Sequence, residues 1–471
     1  MNDVLIIGGG ISGLAAAYRL HKSAPARTFT LIEREERLGG KLLTDQVDGL
    51  VVEQAPDSFL TRKPRGVGLC EELGIADQLY GRRPEHADKT QVRYGDDFYP
   101  LPSGLSGMIP TDLAALARNP LISAAGQARL AEEATIPPAP ANGDESVAAF
   151  VSRRLGREIY EKLVEPLMSG IYAGDGEQLS LAATFPQLRQ LELKHGSLLK
   201  GLQAASAQAA TKERPAATYP PFASLKGGMG QLVDAIVATL PPASLHTGTT
   251  VAAVQRSSDG YQVTLTDGTV QMARALVLAT PAFITADLLA AVDPALAAAH
   301  AAIPYASSAI VTLAYRKGDL SRVPEGYGYV VPSVLGSEVL AGTWSSNKWA
   351  GRAPDEVLLL RVYIGHYGGR DVTQLSDAAL LALAHAELAA SFVAEAAPLL
   401  QRIYRWPRSM PQYNLGHLAR LATIEERLPH NPGLFLAGAA YRGVGIPDCI
   451  REGENAAMAV LQYVESHLSS T

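Results

Sequence analysis

Much that marks other protein classes is missing from this chain. It has two cysteines in 471 residues, Cys70 and Cys449, too few and too far apart for a disulfide framework or a paired-thiol motif. That usage predicts a reducing, cytoplasmic setting. There is no surplus of basic charge: the formal net charge is −6, so the electrostatic footprint of a nucleic-acid binder is absent. No stretch of about eighteen uncharged apolar residues occurs, so no membrane span is predicted, and peripheral membrane contact stays open. HExxH and a Ser-His-Asp arrangement are absent, which predicts no metal site and no catalytic nucleophile among the side chains. Sequence repeats and low-complexity tracts are absent too.

What is present is concentrated at the start. Residues 4–7 (VLII) form an apolar strand run, Gly8-Gly9-Gly10-Ile11-Ser12-Gly13 a glycine turn, and residues 14–20 a helix-compatible stretch. The run is therefore read as the first strand of a nucleotide fold rather than a cleaved signal. A second strand, residues 29–32, ends on Glu33. Gly8 permits the tight turn, Gly10 lets a pyrophosphate approach the chain, and Gly13 lets the helix pack on the sheet, with the helix N-terminus facing the phosphates. Glu33 follows the third glycine by twenty residues, the distance at which an acid accepts hydrogen bonds from a ribose. A second pair, Gly39-Gly40, precedes Lys41.

At 47% hydrophobic and 19% charged residues the composition is globular, and 471 residues exceed one compact core. Helix-compatible stretches run at 112–116, 127–133, 146–155, 158–167 and 184–208, broken by prolines at 137, 138 and 140, and 211–221 reads as an exposed loop. Strand runs follow at 251–254, 261–266, 270–272 and 275–280, then at 309–315, 327–331 and 357–364, and an Ala/Leu-rich helix at 376–393. The end returns to the opening pattern: strand 434–437, Gly438, and a helix from about 447 to 464. The predicted class is α/β: a Rossmann-like nucleotide fold in three pieces (1–78, 222–285 and 430–471), a helical subdomain (79–221) and an inserted antiparallel-sheet substrate domain (286–429).

Five blocks carry a more specific signal: residues 6–14 (IIGGGISGL), 53–60 (EQAPDSFL), 169–175 (SGIYAGD), 411–417 (PQYNLGH) and 441–450 (YRGVGIPDCI). In these, and in Ile109-Pro110-Thr111, Thr343-Trp344 and Leu359-Leu360-Arg361, the chain resembles the protoporphyrinogen/coproporphyrinogen III oxidase family of FAD-dependent, amine-oxidase-like enzymes. The likeness is greatest to the soluble Gram-positive type, which is associated with coproporphyrinogen III rather than protoporphyrinogen IX. The blocks span nearly the whole chain in order.

The resemblance implies an FAD-binding nucleotide fold and positions for the cofactor. Gly8, Gly9, Gly10, Ile11, Ser12 and Gly13 would hold the pyrophosphate, Glu33 with Arg34 the adenosine ribose, and Gly40 and Lys41 would lie along the cofactor. Ala55, Pro56, Asp57 and Ser58 would pass close to the flavin ring, Val251 would meet the adenine through its backbone, and Gly438, Ala439, Val444, Gly445 and Ile446 would approach the pyrophosphate, ribityl chain and ring. Ala55 departs from the family, which has glycine there; its methyl is tolerable at negative φ.

The implied reaction is a six-electron aromatisation of a tetrapyrrole in heme biosynthesis, with O2 as acceptor and H2O2 released, at flavin N5 rather than at a catalytic side chain. Leu167 and Gly170 would flank the macrocycle, with Tyr327 and Val330 opposite; the lesser reading of Gly170 is that it merely ends its helix, while Tyr327 and Val330 could equally be strand core. Lys89 and Arg93 are candidates for the pocket mouth or a solvated face. His417 reads as structural, Cys449 as an inert buried thiol and Met229 as core. Rival readings are protoporphyrinogen IX oxidase, another amine-oxidase-type flavoenzyme, and a non-redox binding protein on the same fold. Aromatic residues are only 6%, against the aromatic cage of an amine oxidase. The oligomeric state is not indicated.

Overall fold

The structure, a computed structural model, describes residues 2–87, 89–106, 108–110, 112, 115–116, 118–140, 143–211 and 219–468. The opening strand Asn2–Ile7 lies between two parallel neighbours, Phe29–Ile32 and Val270–Leu278. Leu245–His246 continues the sheet beyond the first, and Leu434–Leu436 runs parallel beside the second. Leu5 and Ile6 are fully buried, because helices cover both faces; hence the strand is a continuous apolar run rather than an alternating one. Three distant stretches of chain thus build one nucleotide sheet.

Val270–Leu278 is one strand where the sequence suggests two. Its first half pairs antiparallel with Gly260–Leu265, and its second half is shared by the parallel core. Arg274, the charge that interrupts the apolar pattern, stays on the strand and pairs with Asp3 at 3.0 Å. Below the sheet, the helices Ile11–Ser23 and Ile446–Leu468 pack together. A Cβ on Gly453 would stand 2.1 Å from the Ser12 carbonyl oxygen, so glycine is what lets the closing helix lie on the opening one.

The second sheet runs in the order Leu400–Pro411, Tyr305–Arg316, Val357–Ile364, Val339–Trp344, Gly328–Val330, Gln91–Tyr94, Asp97–Pro100. It is antiparallel except where Gly328–Val330 lies parallel to Gln91–Tyr94. The last two strands come from the stretch assigned by sequence to the helical region; they are too short to carry a clear period of two. Asp377–Leu388 covers one face, over a core that includes Leu358, Leu360, Leu380 and Trp344.

Between the strands Asp97–Pro100 and Phe222–Leu225 the chain forms the helices Ala124–Ala131, Val147–Leu155, Glu165–Tyr172, Leu181–Thr184, Pro186–His195 and Leu198–Thr211. The single run read at 184–208 is broken twice, at Phe185 before a proline and at Gly196 with φ +72°. A π turn at Tyr160–Val164 leads into Glu165–Tyr172. Residues 212–218 of the loop read at 211–221, and 113–114 of the helix read at 112–116, lie outside the described residues.

Candidate functional site

The opening turn has the geometry its glycines require. Gly8 has φ +107°, and a Cβ there would meet the Ala279 carbonyl oxygen at 2.7 Å. A Cβ on Gly13 would stand 1.9 Å from the Gly8 oxygen. Gly10 differs: nothing lies within 4 Å of where its Cβ would be. Gly10 also caps the helix Ile11–Ser23 with no side-chain hydrogen bond, and no acid occupies the first turn. An open helix N-terminus beside open space is a cradle for an anion. The N–H of Gly9 donates to Glu33 Oε2 at 2.6 Å and that of Glu35 to Oε1 at 2.9 Å. Each carboxylate oxygen keeps a lone pair for a ribose hydroxyl. Arg34, by contrast, is exposed and pairs with Glu35.

The second glycine pair docks on the first turn. The Gly39 N–H donates to the Gly9 carbonyl at 2.8 Å, and a Cβ on Gly40 would touch the Gly10 Cα at 3.0 Å. Lys41 follows. It is exposed; its ammonium donates to the Ser409 carbonyl and is lowered by the protein atoms crowded around it. No carboxylate pairs with it among the described residues. The Thr249 N–H donates to the Glu33 carbonyl at 2.9 Å, which starts the strand Val251–Ser257 beside the ribose acid.

The closing segment arrives at the same place. Ala437 donates to the Leu278 carbonyl at 3.0 Å, and Gly438 follows with φ +135° and open space where a Cβ would be. Cys449 is buried with Ser12 and Lys41 as neighbours, and burial pushes its thiol up to about 11, which fits an inert group. Tyr413 holds the turn between them. Its hydroxyl donates to the Ala439 carbonyl at 2.6 Å and accepts the Gly443 N–H at 2.8 Å. Its ring stacks on His417, whose Nε2–H donates to the Tyr441 carbonyl at 3.0 Å; burial lowers this histidine and keeps it neutral.

Asp57 belongs to a buried charge cluster. Lys348 reaches it at 2.9 Å, Arg361 at 2.6 Å and the Trp349 indole N–H at 3.1 Å, while the Ser58 hydroxyl donates at 2.8 Å. Burial alone would raise this carboxyl, but Lys348 and Arg361 outweigh it and hold it well below the usual range. Asp57 therefore orients its turn, and its carboxylate is already fully bonded. Arg361 also donates to the Ala55 carbonyl at 2.8 Å. Ala55 is not among the residues with positive φ, so its methyl is unstrained. Nearby, Glu53 accepts from Arg352 at 2.9 Å, Thr44 at 2.7 Å and the Met229 N–H at 2.8 Å.

Leu167, Val330 and Val444 pack against one apolar cluster, which brings the helix Glu165–Tyr172, the second sheet and the closing segment together. Gly170 is exposed inside that helix, with nothing within 4 Å of its Cβ position; the helix ends instead at Ala173, φ +46°. Glu165, buried and in no ion pair among the described residues, accepts from Ser169 at 2.5 Å and from the Ser333 N–H at 3.0 Å, and so joins this helix to the chain just past Val330. Tyr327 precedes its strand and donates to the Arg83 carbonyl at 2.7 Å. The two basic candidates at the mouth are occupied: Arg93 grips Glu387 with both ends of its fork, and Lys89 pairs with Glu325. Lys348, Tyr413 and Glu165 were not singled out by sequence reading; only the PQYNLGH block pointed near one of them.

The parallel sheet, the open glycine turn and the acid at Glu33 together define a protein of the dinucleotide-binding class. A family model described as flavin containing amine oxidoreductase matches residues 11–461. The chain is 34% identical over 469 residues to coproporphyrinogen III oxidase of Bacillus subtilis, covering 98% of each. It is 30% identical to the chloroplastic protoporphyrinogen oxidase of Nicotiana tabacum, over 99% of this chain and 86% of that one. A crystal structure from Exiguobacterium sp. described as a protoporphyrinogen oxidase superposes with a TM-score of 0.85 at 30% identity, over 98% and 99% of the two chains. The chain belongs to the protoporphyrinogen/coproporphyrinogen III oxidase family of FAD-dependent oxidoreductases. No helix among the described residues is long and apolar enough to cross a membrane.

Proposed function

We propose that the protein oxidises coproporphyrinogen III to coproporphyrin III. The observation that carries this reading is the packing of Leu167, Val330 and Val444 against one apolar cluster, in a chain that also has a glycine cradle suited to FAD. A flat, apolar macrocycle with a charged rim suits such walls. Full-length similarity to enzymes named coproporphyrinogen III oxidase supports the choice of substrate.

FAD supplies the hydride acceptor at its N5, and three molecules of O2 reduced to three of H2O2 account for the six electrons and six hydrogens removed. The chain's own part is binding and orientation. Gly10 and the helix N-terminus would receive the pyrophosphate, Glu33 the ribose and Lys41 further negative charge on the cofactor. Tyr413, Arg361 and Asp57 hold the two flavin-side turns rigid. Leu167, Gly170, Tyr327 and Val330 would form a slot that excludes water and aligns a bridge carbon. Catalysis by positioning needs no protein base, since aromatisation supplies the driving force.

The test compares the purified yellow protein on coproporphyrinogen III and protoporphyrinogen IX, following porphyrin fluorescence. Faster use of the first is expected. Equal or faster use of protoporphyrinogen IX would move the assignment to the second reading, which the tobacco relative favours.

A further inference from the structure

Four rim carboxylates call for cations, and Lys89 and Arg93 are already paired. Arg82 is not. Its guanidinium lies between the rings of Phe222 and Tyr327, 4.8 and 5.0 Å from their centroids, and has no hydrogen-bond or ion-pair partner among the described residues. The segment that carries it is anchored: the Arg83 N–H donates to the Lys348 carbonyl at 3.0 Å, and the Arg83 carbonyl accepts from Tyr327. Arg82 is thus held beside both Tyr327 and Lys348.

The local charge balance is positive. Four cations, Arg82, Lys348, Arg361 and Arg352, meet two carboxylates here: Asp57, whose oxygens already accept from Lys348, Arg361, Trp349 and Ser58, and Glu53, which pairs with Arg352. The ammonium of Lys348 is lowered by burial first; Asp57 counteracts this, and Arg361 and then Arg82 push it further down. Such a surplus is unfavourable in the free protein and is relieved by an anion. A guanidinium stacked between two rings keeps its fork pre-aligned for a carboxylate, so less ordering entropy is lost on binding.

We propose that Arg82, with Lys348 behind it, forms a subsite for one carboxylate of the substrate at the edge walled by Tyr327. The proposal rests on the porphyrinogen reading above and makes Arg82 a specificity-determining residue within it.

The experiment uses the flavin-loaded enzyme and its Arg82→Gln and Arg82→Lys variants, with turnover of coproporphyrinogen III and equilibrium binding of coproporphyrin III and its tetramethyl ester. The Arg82→Gln variant is expected to raise KM about tenfold, as for loss of one charge-assisted hydrogen bond, with kcat within about twofold. It should weaken binding of the free acid but leave the uncharged ester unchanged, and Arg82→Lys should fall between. An unchanged KM, or equal weakening of acid and ester, would overturn the subsite while leaving the function intact. Wild-type enzyme inactive on every porphyrinogen would overturn the function itself, and the subsite with it.

Discussion

Arg361 donates to the Asp57 carboxylate at 2.6 Å and to the Ala55 carbonyl at 2.8 Å, so one guanidinium of the second sheet grips the turn that follows the strand Leu50–Glu53. The contact is buried and leaves the Arg361 Nε without a partner. It ties the second sheet to the turn that the family resemblance would set beside the flavin ring.

Asp57→Asn should therefore be costly. Removing one partner of a buried ion pair strands the others, at about 3–5 kcal/mol. The folded-state carboxyl is depressed, so its stabilisation is fully present above the unfolded value of about 3.9 and is lost as pH falls through the folded value. Denaturant unfolding of the flavin-loaded protein should show a large gap between wild type and variant at pH 7, narrowing below about pH 4. A gap that persists unchanged into acid would contradict the assignment.

Gly10 and Gly13 should respond differently to a side chain. Gly10 has φ −70° and open space, so Gly10→Val should fold with near-normal secondary structure yet purify colourless, because the side chain occupies the pyrophosphate's place. Gly13→Ala should fail to fold, since its methyl has no room against the Gly8 oxygen. Circular dichroism and the flavin absorbance of the purified proteins separate the two effects. A Gly10→Val protein that stays yellow would sink the cradle.

Tyr413→Phe leaves the Ala439 carbonyl and the Gly443 N–H without their partner, a loss of about 1–3 kcal/mol. Because both groups belong to the flavin-side turn, flavin affinity should fall along with stability. Titration of the apoprotein with FAD checks this; unaltered affinity would confine Tyr413 to a packing role.

Gly170 lies inside a helix, where alanine is ordinarily about 0.5–1 kcal/mol more stable. With nothing near its Cβ, Gly170→Ala should raise or keep thermal stability, and Gly170→Phe should still fold. Activity should move the other way, with KM for the porphyrinogen rising most in the phenylalanine variant. A Gly170→Phe enzyme with unchanged KM would show that the space beside this helix is not the substrate's.

By itself the sequence determined what depends on local backbone geometry. The turn at Gly8–Gly13, the acid at Glu33, the interrupted nucleotide fold and the β-rich middle are all legible, because hydrophobic period and glycine placement act over a few residues. The departure at Ala55 could be named from sequence, but only the backbone shows that its φ is not positive. Where the pattern is short, as at Gln91–Tyr94, no strand is read, and the runs on either side of Arg274 read as two strands rather than one, because pairing with a distant strand decides the outcome. Tertiary structure alone decided which charges meet. Asp57 finds Lys348 across 291 residues of chain, Tyr413 finds Ala439, and Arg82 comes to lie against Tyr327 while Arg93 is drawn to Glu387. Those pairings join residues far apart in the chain that only the folded arrangement brings together. No spacing along the chain encodes them, because the free energy of burying a charge depends on every neighbour that closes around it.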